Sequence, residues 1–245
     1  FINIPTNASL LDRMIGYLED ILPYNKNISY RLTFSIDGIK EQHDENRSMP
    51  GSFKKIEEAY KLISPLRKIY KNLSLDSNTV FTSKTENNIV EILTYLSKNF
   101  QFDNQTLTYA RGSFPDESLR SFSEQKYKSA LEYLKKRKKT KENRFLYPIY
   151  RAIREIAFEN LIQIVFHDKF INQCTAVKKL IVVSEVGDVY PCELLTKQYP
   201  LGNLKKFDYN INNILKNTTS KNAKQFIKDT KCKCSFECAL SSNVA

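Results

Sequence analysis

The sequence predicts an α/β protein in two parts: a parallel sheet interleaved with helices over residues 1–165, then a smaller cysteine-rich α+β part with a β-hairpin over residues 166–245. Three observations carry this expectation. Residues 1–112 alternate four strand-like segments with three amphipathic helical ones, the signature of βαβ units. The segment ISYRLTFSI (Ile28–Ile36) alternates strictly between apolar and polar residues. Parallel strands are usually apolar on both faces, so a polar face implies a sheet curved around a polar lumen, as in an open or partial barrel. All five cysteines fall between Cys174 and Cys238.

The elements follow in order. FINIPT (Phe1–Thr6) reads as a short strand, and Leu11, Met14, Ile15, Leu18 and Leu22 then recur at helical spacing, with Ser9 and Asp12 where a cap is expected. After the strand Ile28–Ile36 comes a helix carrying Phe53, Ile56, Tyr60 and Ile63. LSLDSNTVFTS (Leu73–Ser83) is the third strand, followed by a helix with Ile89, Ile92, Leu93 and Leu96, and TLTYARG (Thr106–Gly112) is the fourth. Connecting helices are expected around Tyr127, Ala130, Leu131 and Leu134, and around Ile153, Ile156, Ala157, Leu161 and Ile164. LIVVSEVGDVYPC (Leu180–Cys192) has the form of a hairpin turning near Val186-Gly187-Asp188.

Composition narrows the function classes. No apolar run approaches the roughly 18 residues a transmembrane helix needs, and nothing resembles a signal peptide, so a cytoplasmic protein with reduced thiols and no membrane partner is expected. An odd cysteine count argues against a fully paired disulfide framework. The net charge of +11 comes without a recognisable nucleic-acid motif, so nucleic acid is not the expected partner. Its densest run, Lys135–Arg144, suits the solvated C-terminal end of a helix. None of the six glycines forms a GxGxxG loop, which leaves a dinucleotide fingerprint or P-loop unsupported. In parallel α/β folds function gathers at the C-terminal strand ends, here Thr6-Asn7, Ser35 to Gly38, Ser83 to Thr85 and Arg111-Gly112.

The thiols are spaced Cys174-x17-Cys192-x39-Cys232-x-Cys234-x3-Cys238. Structural zinc sites usually use CxxC knuckles, which this pattern lacks. Iron–sulfur clusters commonly take four thiolates, several from one short segment, as KCKCSFEC could supply. Spacing alone leaves iron–sulfur, zinc and unliganded or disulfide thiols all open.

The neighbours of the thiols add a resemblance. Cys174-x12-Gly187-x4-Cys192, the GDVYPC that ends in Cys192, and PLGNL (Pro200–Leu204) together resemble the C-terminal module of radical S-adenosylmethionine enzymes, called SPASM with two auxiliary clusters and twitch with one. SIDGIKEQHDENRSMPGSF (Ser35–Phe53) resembles that superfamily's fourth-strand segment, and IPTNASLL (Ile4–Leu11) its third, with Ala8 where glycine is usual. Tyr109 to Gly112 resembles the sixth-strand end. The likeness spans nearly the whole chain and is loosest across residues 116–165.

This resemblance implies the later strands of a partial parallel (β/α)6 barrel, followed by a SPASM/twitch domain. It implies S-adenosylmethionine contacts by Ser35, Asp37, Asn7 and Arg111, although Ser-x-Asp-Gly is also ordinary turn chemistry. It implies an auxiliary [4Fe-4S] cluster among Cys174, Cys192, Cys234, Cys238 and Cys232, with Cys232 the preferred leftover and Tyr190 and Phe236 as shields. The final cysteine group departs from the full SPASM pattern, which has more cysteines and a different spacing; five thiols fill one four-iron cluster and leave one over, which favours the twitch form. The superfamily's CxxxCxxC loop, which holds the catalytic [4Fe-4S] cluster, has no counterpart in these 245 residues and is expected before Phe1. The implied activity is radical hydrogen abstraction from a peptide or small molecule, with a reductant such as flavodoxin or ferredoxin; the fragment by itself is expected to be inactive. The competing expectation is a zinc-binding, non-catalytic interaction protein with a basic surface. His43 and Asp44 are expected to tie down a loop, and His167 to end a helix.

Overall fold

Apolar side chains on alternate positions need a surface to cover them, and the helices between the strands supply it. A computed structural model describes residues 1–24, 26–110, 116–136, 147–233, 240 and 243, with backbone alone at 147, 150 and 151. The described residues fall into two compact units, one within 1–136 and one from 147 onward.

In the first unit the order is β1 (Ile2–Thr6), α1 (Leu11–Ile21), β2 (Tyr30–Ser35), α2 (Glu41–Arg47), α3 (Ser52–Ile63), α4 (Leu66–Ile69), β3 (Leu73–Phe81), α5 (Ile89–Asn99), β4 (Asn104–Tyr109) and α6 (Glu124–Lys136). The four strands form one parallel sheet in the order β1-β2-β3-β4. Tyr30, Leu32 and Phe34 of β2, Leu73, Leu75 and Phe81 of β3 and Leu107 of β4 are buried on one face. Phe53, Ile56, Ile63, Ile92 and Leu96 from α3 and α5 are buried with them, and Phe100 stacks on Phe102 with centroids 5.2 Å apart.

The other face is polar in all four strands, as the alternation in β2 predicts. Register places Asn3 beside Arg31, then Pro5, Thr33, Asp76 and Asn104 in one row, and Ser35, Asn78 and Thr106 in another. Several of these groups bond to one another. Thr33 Oγ1 donates to Asn3 Oδ1 (2.6 Å), and Thr106 Oγ1 donates to Asn78 Oδ1 (2.8 Å). Asp76 forms an ion pair with Arg31 (3.1 Å) and accepts from Asn104. Burial pushes the Asp76 carboxyl up, against the pull of Arg31.

The second unit begins with α7 (Tyr147–His167). The expected hairpin is present as β5 (Val182–Val183) and β6 (Asp188–Tyr190), antiparallel and turned at Gly187, whose φ of +94° favours glycine. A third strand, β7 (Gly202–Asn203), extends the sheet, and α8 (Ile211–Lys216) and α9 (Thr218–Asp229) close over it. The core joins Val189, Leu195, Leu201, Ile214, Ala223 and Ile227. β7, α8 and α9 have no counterpart among the elements expected from the sequence. The fourth strand begins at Asn104 rather than Thr106, because Asp103 turns back to accept the Leu75 N–H (2.9 Å) and start the pairing earlier; Arg111 and Gly112 of the expected strand lie outside the described residues.

Candidate functional site

Two groups of residues stand at the places where the sequence expects chemistry. The first is at the C-terminal strand ends. Asn7, just beyond β1, and Ser35, the last residue of β2, line one open hollow of about 630 Å³ with Thr6, Arg13, Met14 and Tyr17. Asn7 Oδ1 accepts from the Ser9 backbone N–H (3.1 Å) and hydroxyl (2.7 Å), shaping the turn into α1. Within that turn Ala8 has φ +60°, a left-handed conformation natural to glycine, which explains why glycine suits this position. Among the described residues the Ser35 hydroxyl has no intramolecular partner, so it is available to a ligand.

Asp37 lies differently. Its Oδ1 accepts the Val80 N–H (2.8 Å) and its Oδ2 pairs with Arg47 (2.6 Å). Its N–H donates to His43 Nδ1 (3.0 Å), and its carbonyl accepts from Asn46 (2.6 Å). Asp37 therefore locks the end of β2 to β3 and α2. Gly38 is required beside it, since a Cβ there would lie 2.7 Å from the His43 backbone nitrogen. His43 is buried and neutral, its pKa lowered by desolvation against the opposing pull of Asp37. Asp44 accepts from the Phe53 and Gly51 backbone N–H groups and the Ser52 hydroxyl at the start of α3, and these bonds lower its pKa. His43 and Asp44 thus tie down this loop, as expected. Arg111 lies outside the described residues.

The second group is the thiols. Cys174 and Cys192 are buried against the core of the second unit, and Cys232 packs on the same cluster. A hydrogen bond with Cys232 lowers the Cys174 pKa to about 6, assisted by the Ala176 N–H, which donates to Cys174 Sγ at 3.5 Å. Burial raises the Cys192 pKa, and the Cys174 charge adds to that effect, so the two thiols sense one another. Cys232 is held in place by its own N–H, which donates to the Ile227 carbonyl (3.1 Å). Asn243 Oδ1 accepts from the Thr175 N–H (2.9 Å) and hydroxyl (2.7 Å), next to Cys174. Among the described residues, no group of three or more His, Cys, Asp or Glu side chains is close enough to hold a metal ion. Cys234, Cys238 and Phe236 lie outside the described residues; Tyr190 is half-buried at the end of β6 and His167 ends α7.

Cys174 and Cys232 are in contact, Cys192 lies near enough to feel the Cys174 charge, and Cys174 is already biased toward the thiolate that iron or zinc requires.

Residues 174–239 match the family model of the SPASM iron–sulfur cluster-binding domain. Over this segment the chain is similar to SPASM cluster-binding domains. The match begins at Cys174 and takes in Gly187, Cys192 and Gly202 to Leu204, from which the sequence resemblance was drawn, and also Cys232, Cys234 and Cys238. Comparison with curated proteins gives no match. Among solved structures, the fold is similar to native anSMEcpe with bound AdoMet, at 18% identity and a TM-score of 0.56, over 97% of this chain and 63% of that one. It is also similar to histidine-tagged anSMEcpe with bound AdoMet (19%, 0.57, 94% and 59%). A third is native anSMEcpe with bound AdoMet and Kp18Cys peptide (18%, 0.56, 94% and 62%). The chain thus spans about three fifths of the length of these structures, and the likeness is one of fold.

Sequence reasoning missed one feature of these sites. Arg13 and Tyr17 line the hollow with Asn7 and Ser35, and the i, i+4 spacing of Arg13 and Tyr17 on α1 was the available signal.

Proposed function

We propose that this chain forms the later strands and the auxiliary-cluster domain of a radical S-adenosylmethionine enzyme. The observation that carries the reading is the contact of Cys174 with Cys232 inside the segment that matches the SPASM cluster-binding model. Cys174 and Cys192 would be ligands of one [4Fe-4S] cluster, the twitch-like content, completed from Cys232, Cys234 and Cys238. The contact with Cys174 supports Cys232 as a ligand in its own right. The cluster would supply electron transfer or a binding point for substrate.

The hollow bounded by Asn7 and Ser35 would hold part of S-adenosylmethionine, with the Ser35 hydroxyl as a free polar contact and Asp37 bracing the strand end behind it. Ligands for the catalytic cluster are not among these residues, since the sequence has no CxxxCxxC. The reaction would be hydrogen abstraction from a substrate. A peptide is favoured over a small molecule, because similar structures carry the Kp18Cys and Cp18Cys peptides. A low-potential reductant of the flavodoxin or ferredoxin class would complete the system.

Anaerobic reconstitution with iron and sulfide tests the core of this reading. We expect about four irons per chain and a broad visible absorption shoulder. Cys192→Ala should lose that iron. One tightly held zinc per chain, or wild-type iron content in Cys192→Ala, would overturn the assignment.

A further inference from the structure

The outer face of α9 carries Lys221, Lys224 and Lys228 at helical i, i+3, i+7 spacing, while Ser220, Ala223 and Ile227 turn inward. Lys178 faces them from the turn that follows Ala176 and Val177. Together with Gln173 and Gln225 these four lysines ring a hollow of about 510 Å³, and Cys174 forms part of its wall. Lys224 is fixed there, donating from Nζ to the Leu215 carbonyl at 3.1 Å. Among the described residues no carboxylate forms an ion pair with any of the four. Asp229, on the same helix, accepts instead from Gln225 (2.7 Å). A solvated helix face normally mixes charge signs. Four lysines lining one concavity, none paired with a carboxylate among the described residues, give it a positive potential that favours an anionic occupant.

We propose that this lysine-ringed hollow is the docking site of an acidic electron-carrier protein. The proposal rests on the reading that the thiols hold an iron–sulfur cluster. The position of Cys174 selects the class of partner, because whatever sits on the lysines comes beside a proposed cluster ligand, within reach for electron transfer. One electron would leave the reduced carrier and be taken up at the thiol-bound cluster, with no bond or proton moving. Lysines at the rim would speed association and orient the carrier, an effect that falls with salt. A second copy of this chain is a poor occupant, since each copy carries a net charge of +11.

The test measures binding of an acidic flavodoxin to the full chain, with and without reconstitution, at low and at physiological salt. Iron content is read on the same samples. We expect salt-sensitive binding that weakens roughly tenfold or more in Lys221→Glu/Lys228→Glu and is retained in Lys221→Arg/Lys228→Arg. Iron content should be unchanged in both, which shows that the domain folds. Equal binding by the Glu variant, or binding indifferent to salt, would overturn the proposal. So would lysine-dependent capture of an oligoglutamate peptide with no binding of the flavodoxin, since the hollow would then serve an acidic peptide. A chain that takes up no iron yet binds the carrier through these lysines would overturn the cluster reading and leave the docking surface standing.

Discussion

At the scale of single residues, the loop after β2 shows how a side chain typical of active sites becomes structural. His43 is buried against Phe53, with ring centroids 5.8 Å apart, and its Nδ1 accepts the Asp37 N–H. Protonating Nδ1 would destroy that bond and bury a charge, which is why desolvation leads the lowering of its pKa. The sign of the linkage follows. A base whose pKa is depressed in the folded state stabilises the fold above its unfolded value of 6.5, and this contribution is lost as pH falls through the lower folded value. We expect chemical denaturation to report falling stability between pH about 7.5 and about 5, with a shallower slope in His43→Gln. Parallel slopes would show that His43 does not titrate with unfolding. Ala8 gives the opposite lesson, an alanine held at φ +60° where the resemblance shows glycine, so the backbone conformation has been kept without the residue that makes it easy.

At the scale of elements, Asp37 is the junction at which β2, β3 and α2 meet. Asp37→Ala would leave the Val80 N–H without its acceptor and Arg47 without its partner, and should cost about 1–3 kcal/mol in a denaturation midpoint measurement. A loss well below that range would mean that water replaces both bonds and that the carboxylate is free for a ligand. Elements with strong periodicity were legible in the sequence: the alternation in Ile28–Ile36 foretold both a buried face and a polar one, and α1, α3 and α5 lie where their apolar spacing puts them. Elements without it were not. α2 is EQHDENR, whose burial rests on His43 alone, and α9 has so many lysines that its buried Ala223 and Ile227 do not stand out. β7 is two residues long and exists through pairing with β6, which is tertiary information. The site followed the same rule. The thiols and Ser35 were readable as residue types in a pattern, whereas the commitment of Asp37 to Val80 and Arg47 depends on strands that meet only after folding.

At the scale of the whole molecule, the two units draw stability from different sources. The first has a layered core of helices on a parallel sheet, with Leu32, Phe34, Phe53 and Phe102 almost wholly shielded. In the second, two- and three-residue strands and short helices surround a core that includes the thiols themselves. Short strands supply little intrinsic stability, so a group that crosslinks Cys174, Cys192 and the following thiols would contribute a large share of the second unit's folding free energy. Metal bound only by the folded state shifts unfolding by mass action, and the shift belongs to the unit that binds it. Scanning calorimetry of the reconstituted chain should therefore show two transitions. Chelating the iron, or substituting Cys192→Ala, should lower the transition of the second unit by many degrees and leave that of the first in place. The assignment is checked by following near-ultraviolet circular dichroism with Phe226→Leu, which alters the Tyr199–Phe226 ring contact (4.6 Å) of the second unit and no ring of the first. A single transition that moves as a whole on chelation would show that the two cores unfold as one, and the cluster would then stabilise the parallel sheet as well as the SPASM domain.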